Sequence, residues 1–301
     1  MPGNSRAAQR RKAWRQFAAA MASGLRKIHR WGDPAIRLRS LMDLALAAGC
    51  AGSLSQGLSM SQPEVRFVIV TNGRTGSTLL VNLLRSHPAI QCEDEILNER
   101  RWQGAQRPLG WLVRTEPAPY LAWRARRATK PVFGFKLKTG AQVVDLGRTL
   151  GSLYRRGWRL IYLARRDALQ QTFSWCVAQA SGRWQSNGDH PIRDNNGVTL
   201  DVAAFQRDLS ACVQDRQHLA ALLHRWPHLA LVYEDDLQHS DLWPATGARL
   251  CAFLGVAPAP LTSQVARTWE RPYAEVVTNY AEILAAVAAG PFAYLVDREQ
   301  G

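Results

Sequence analysis

Several features that settle a protein's class at once are missing from this chain. Cysteine is scarce: Cys50, Cys92, Cys176, Cys212 and Cys251 make an odd set with no CxxC pair. That excludes a disulfide framework or a zinc site built on paired thiols, and it fits a reducing compartment. No stretch approaches the roughly 20 apolar residues of a membrane span. The best run, residues 41–60, is broken by Asp43 and several Gly and Ser. The basic region ahead of it is far too long for a secretory signal, so a cytoplasmic protein is expected. Lysine is also rare, with 5 Lys against 33 Arg among the 38 basic residues. No internal repeat and no low-complexity segment is visible, and the composition excludes a disordered, collagen-like or coiled-coil chain.

What is present is ordinary globular material. Of 301 residues, 47% are hydrophobic and 21% charged, enough for a sizeable core. The net charge of +14 is unevenly spread. Residues 1–40 carry ten Arg or Lys and one acid, a balance of +9, so the remaining 261 residues hold +5. In that arm Trp14, Phe17, Met21, Leu25, Ile28 and Trp31 recur at steps of three and four with basic residues between them. The spacing is that of a basic amphipathic helix, suited to packing on the domain or to contact with a membrane surface. Gly, Ser and Gln loosen residues 48–63. The expected organisation is a helical arm and linker over 1–60 and one domain over 61–301.

From residue 66 the pattern alternates between strand and helix. RFVIVT (66–71), PVFGFKLK (131–138), WRLIYLA (158–164) and LALVY (229–233) read as buried strands. Helices are expected from Ser77 to the stop at Pro88, over 167–180 and over 201–225, with a polar loop at 185–199. Strands separated by helices predict an α/β fold with a central, mostly parallel sheet, three-layered and P-loop-like.

The strongest local signal is VIVTNGRTGSTLLVNLL (68–84). A buried strand turns tightly at Gly73 and Gly76 and enters a helix at Ser77. Such a junction aims backbone N–H groups and the positive helix end at one spot, which suits a phosphate or sulfate group. Arg74 adds a forked cationic donor, and Thr75, Ser77 and Thr78 add hydroxyls. No Lys precedes Ser77, so the clamp of a Mg-nucleotide hydrolase is lacking. Arg165 and Arg166 end another strand, at the sheet edge where α/β folds bind ligands. Ser174 lies eight residues on, along the following helix. Glu93, Asp94 and Glu95 follow the first helix closely. Lys136 and Lys138 share one face of their strand. No His, Cys and carboxylate set has metal-ligand spacing.

These segments resemble the sulfotransferases that use 3′-phosphoadenosine-5′-phosphosulfate (PAPS), most closely the bacterial carbohydrate enzymes of the nodulation-factor and trehalose type. RTGSTLL resembles that family's 5′-phosphosulfate loop. YLARRDALQQTFSW (162–175), with Arg166 and Ser174 eight apart, resembles its 3′-phosphate motif. DEILN (94–98), FGFKLK (133–138) and LVYEDDL (231–237) resemble further segments. The resemblance implies transfer of a sulfuryl group to an acceptor hydroxyl, with a carbohydrate as the acceptor class. Residues 73–78 would hold the phosphosulfate, with Arg74 also catalytic, and Arg165, Arg166 and Ser174 the 3′-phosphate side. Glu95 would be the base, with Glu93 second. Apart from the resemblance, the rarity of lysine and the shared strand face of Lys136 and Lys138 suggest that one of them, Lys136 first, reaches the bridging oxygen. Trp184 would stack on a sugar ring or serve as one of the core tryptophans. Neither a metal nor a nucleic-acid partner is expected. The alternative is phosphoryl transfer on the same kind of loop.

Overall fold

The computed structural model describes residues 63–98, 113–114, 117–140, 144–182, 184, 197–264 and 272–297. The basic arm and the linker to residue 60 lie outside the described residues, as does most of the expected loop at 185–199. The chain divides into two compact units. Among the described residues, the first holds Leu97–Thr129 and 144–156, and the second holds 64–96, 130–140 and everything from 157 on.

The second unit is built on a five-stranded parallel sheet of order β2-β3-β1-β4-β5. The strands are β1 (Val65–Thr71), β2 (Ile90–Glu93), β3 (Val132–Lys138), β4 (Arg159–Ala164) and β5 (His228–Val232). Between and after them come α1 (Ser77–Ser86), then α2 (Pro117–Arg126) and α3 (Leu146–Arg155) of the first unit. The longer ones that follow are α4 (Ala168–Ser181), α5 (Val202–Leu223), α6 (Trp243–Leu254), α7 (Tyr280–Ala288) and α8 (Ala293–Asp297), with single turns at Tyr233–Asp236, Ser240–Leu242 and Tyr273–Val276. The expected α/β fold, a central parallel sheet flanked by helices, is what the chain adopts.

Strands β1, β3 and β4 bury residues on both faces, which explains their continuous apolar runs. On one face Phe67 and Ile69 of β1, Ile161 and Leu163 of β4 and Leu231 of β5 meet Leu80 and Leu84 of α1 and Leu250 and Leu254 of α6. Gly134 is required here: a Cβ would stand 2.3 Å from the Phe67 ring. On the other face Val68, Val70, Phe135, Leu137 and Leu160 are fully buried, and Trp158 meets Phe135 edge-on at 5.6 Å. A second core joins α4, α5 and α7 around Phe173, whose ring lies 4.5 Å from Phe205 and 4.7 Å from Tyr280.

Strand β2 is an element the hydrophobic pattern does not announce. Its four residues, IQCE, alternate buried and half-buried beside β3 at the sheet edge. Pairing with Val132–Phe135 makes it a strand, and four residues are too few for a period to show.

The order of the sheet matters for function. The path from β1 leads to β2 on one side, and β3 then crosses to β4 on the other, so the direction of winding reverses at β1. Ligands in such sheets lie beyond the carboxyl ends of the strands at this reversal.

Candidate functional site

All five strand ends on that edge carry a segment singled out by sequence. Residues 72–78 follow β1, Asp94 and Glu95 follow β2, and Lys136 and Lys138 end β3. Arg165 and Arg166 follow β4, and Tyr233–Asp236, a single helical turn, follows β5. The parallel arrangement alone brings these distant segments to one rim.

The loop after β1 is tied down from beneath. The Thr71 hydroxyl donates to the Leu163 carbonyl at 2.9 Å, and Asn72 Nδ2 donates to the Thr139 hydroxyl at 3.0 Å. Arg74 and Gly76 both take left-handed backbone conformations, with φ 62° and 77°. Gly76 has no room for a side chain, since a Cβ would lie 2.4 Å from the Tyr233 ring. Gly76 is also the N-cap of α1. Helices α3, α4 and α5 are capped by the carboxylates of Asp145, Asp167 and Asp201, whereas α1 has no side-chain cap and no acid in its first turn. Its leading N–H groups face the same rim as the loop, an arrangement that suits an anion.

Arg74 does not extend into solvent. Its Nε donates to Ser174 Oγ at 2.8 Å, and one terminal nitrogen donates to the Trp184 carbonyl at 2.6 Å. Burial lowers its pKa, so the guanidinium is a desolvated charge beside the loop. Ser174 is buried on α4. Trp184 meets Trp175 edge-on at 5.1 Å, and Lys138 Nζ lies 5.9 Å from the Trp175 ring centre.

Two further side chains from the β4–α4 segment grip the loop. Gln171 Nε2 donates to the Gly73 carbonyl at 2.6 Å, and an Arg165 terminal nitrogen donates to the Arg74 carbonyl at 3.3 Å. Arg165 Nε also lies 3.5 Å from Glu234, and its guanidinium stands over the Tyr233 ring. Arg166 turns the other way: its exposed guanidinium pairs with Asp235, which raises its pKa, and its backbone N–H donates to Glu234 at 2.7 Å. The structure thus brings Ser174 to Arg74 and not to Arg166, and Arg165 rather than Arg166 reaches the loop.

A second cluster lies at the ends of β2 and β3. Lys136 is buried, with Nζ 2.7 Å from Asp94 and 3.1 Å from Glu95. Burial pushes the Asp94 carboxyl up, but the charge and hydrogen bond of Lys136 outweigh it and hold the group below its ordinary value. Lys136 is therefore engaged by two carboxylates at once. Glu93, within β2, is half-buried. His87 is occupied elsewhere: it caps α1, its Nδ1 accepts from Ala89 N–H and its Nε2 bonds the Ala257 carbonyl. Asp236 is structural, accepting from Val232 N–H at 2.7 Å and from Arg249 at 2.5 Å.

No family model matches the chain, and no curated protein matches it. A solved structure it is similar to is a sulfotransferase from Alicyclobacillus acidocaldarius. That match has 15% identity, covers 76% of this chain and 95% of the other, and has a TM-score of 0.40. The chemistry is therefore read from the side chains. Gln171 is the site residue that motif reading passes over. It stands three residues before Ser174, one helical step along the same face of α4, and that spacing is the signal that could have found it.

Among the described residues, no group of three His, Cys, Asp or Glu is placed to hold a metal ion, and no helix is long and apolar enough to cross a membrane.

Proposed function

We propose that the chain is a sulfotransferase that moves a sulfuryl group from PAPS to the hydroxyl of an acceptor, a carbohydrate by class. The observation that carries this reading is the joining of two anion-suited segments about a hundred residues apart: Arg74 to Ser174, Gln171 to Gly73 and Arg165 to Arg74. A helix start with no side-chain cap and no acid in its first turn, left-handed loop residues and a desolvated guanidinium make a donor set that fits a phosphosulfate.

In this reading the N–H groups of residues 73–78, with Gly73, Thr75, Gly76, Ser77 and Thr78 shaping the loop, hold the 5′-phosphosulfate. Arg74 supplies charge where it develops on the leaving phosphate. Arg165, Arg166 and Ser174 serve the 3′-phosphate, with Arg166 exchanging Asp235 for it. The acceptor oxygen attacks sulfur in line, and the bond from sulfur to the bridging oxygen breaks. The desulfated nucleotide 3′-phosphoadenosine-5′-phosphate (PAP) leaves, and Glu95 takes the acceptor's proton. Lys136, with Nζ 3.1 Å from Glu95 and 2.7 Å from Asp94, positions the Glu95 carboxylate for that transfer. The donors are the protein's own, so no metal is assigned. Nucleic acid is not assigned as a partner. A cytoplasmic site of action, with membrane contact through the basic arm, is proposed on the sequence alone.

Calorimetric titration with PAP and AMP tests the assignment. PAP is expected to bind about tenfold or more tightly, the worth of a charge-assisted contact to the 3′-phosphate. Equal affinities would remove the 3′-phosphate site. A strict requirement for Mg-ATP in turnover would replace sulfuryl transfer with phosphoryl transfer.

A further inference from the structure

Gln171 is buried, 4% exposed, and only half satisfied. Its Nε2 donates to the Gly73 carbonyl at 2.6 Å, while its Oε1 has no hydrogen-bond partner among the described residues. A leucine would fill similar space without stranding a polar atom, so packing does not account for the amide. The bond to Gly73 does.

In a trans peptide the carbonyl of one residue and the N–H of the next point in opposite directions. No cis peptide occurs among the described residues. With the Gly73 carbonyl drawn to Gln171 on α4, the N–H of Arg74 is turned away from α4. With the Arg74 carbonyl drawn to Arg165, the N–H of Thr75 is turned away from that side chain too. Arg74 at φ 62° and Gly76 at φ 77° interrupt the chain with left-handed residues, the backbone habit that gathers successive N–H groups into an anion-holding concavity. Two carbonyls held on one side therefore present two donors on the other.

We infer that Gln171, with Arg165 beside it, is a positioning residue that sets the N–H groups of Arg74 and Thr75 toward the bound anion. It touches no reacting atom and acts through the Gly73 carbonyl. The inference rests on the anion-site reading above, and it gives Arg165 a role through the main chain in addition to its charge.

The test is calorimetric titration of the full chain with PAP, for the native protein, Gln171→Leu and Gln171→Glu, from pH 8 down to pH 5. Leu removes the donor, and PAP affinity is expected to fall about tenfold, the worth of one such hydrogen bond, with the unliganded melting temperature near native. Glu separates positioning from packing. Ionised, it repels the Gly73 carbonyl, so binding at pH 8 falls below that of the Leu variant. Burial raises its pKa, and once protonated it donates an O–H to the same carbonyl. Affinity relative to native is then expected to recover toward pH 5, which a packing role would not produce. Native affinity in the Leu variant, or a Glu variant that tracks the Leu variant at every pH, would overturn the inference. Should the Leu variant not fold, the pH profile of the Glu variant decides. If the native chain ignores PAP but binds ATP or pyrophosphate with the variants in the same order, Gln171 keeps its role and the sulfotransferase reading falls. If the native chain binds none of the three, both fall.

Discussion

At Arg74 a charged side chain occupies a backbone conformation that favours glycine. The left-handed region costs a residue with a Cβ about 1 kcal/mol relative to Gly. The residue keeps its place because its guanidinium reaches both Ser174 and Trp184. Arg74→Ala and Arg74→Gly lose the same contacts but differ in strain, so the Gly variant should melt about 2 °C above the Ala variant. Both should lose roughly a hundredfold or more in turnover, since a transition-state donor is gone from each. Comparing the two by thermal melting and steady-state rate checks this, and identical melting temperatures would show that the loop relaxes out of its left-handed turn. Glu95 and Asp94 share Lys136 but differ in role. Glu95→Gln should keep PAP affinity and lose turnover by roughly 10²–10⁴-fold, because the amide fills the space but takes no proton. If only Glu93→Gln loses turnover, the base has been misassigned by two residues. Asp94 is held below its ordinary value, so its contribution to stability is present above the unfolded-state value near 3.8 and is lost as pH falls through the lower folded one. Acid-unfolding curves should therefore be shallower for Asp94→Asn than for the native chain between about pH 5 and pH 2.

Among the elements, α1 and the one-turn helix Tyr233–Asp236 are interlocked through Gly76. The Tyr233 ring sits where a Gly76 side chain would be, and Tyr233 also carries the Arg165 guanidinium on its face. Gly76→Ala combines a positive φ with a contact of 2.4 Å, so the start of α1 must move. A loss of about 2 kcal/mol or more is expected from strain and overpacking together, with weaker PAP binding in the same variant. Denaturant melts and titration check both. A native-like Gly76→Ala would mean that Tyr233 swings aside freely and does not define the loop. The alternation of strands and helices, and the junction at Gly73–Ser77, were legible because β1, β3 and β4 are buried on both faces and read as unbroken apolar runs. β2 was not legible, because four residues at the sheet edge become a strand only by pairing with β3.

For the molecule as a whole, the carboxyl rim collects donors together with the carboxylates of Asp94, Glu95, Glu234 and Asp235, with no ligand set for a metal among the described residues. A chelator should leave turnover unchanged, and a loss restored by added metal would move the chemistry toward phosphoryl transfer. The sequence by itself determined the α/β class, the anion-suited turn after the first strand and the residue types around it. These follow from local rules: burial sets the runs, glycine sets the turn, and a helix start sets the sign of charge it favours. Only the tertiary structure decided which side chains meet. Spacing of eight residues pairs Arg166 with Ser174 on paper, but a strand end and the second turn of a helix point in different directions. Ser174 therefore meets Arg74 from β1's loop, while Arg166 turns out to Asp235. Gln171 carries no motif of its own. Its position opposite Gly73 exists only because parallel pairing lays β4 beside β1, so that α4 starts beside the loop. The same pairing, through β2 and β3, brings Lys136 between Asp94 and Glu95 across some forty residues of chain.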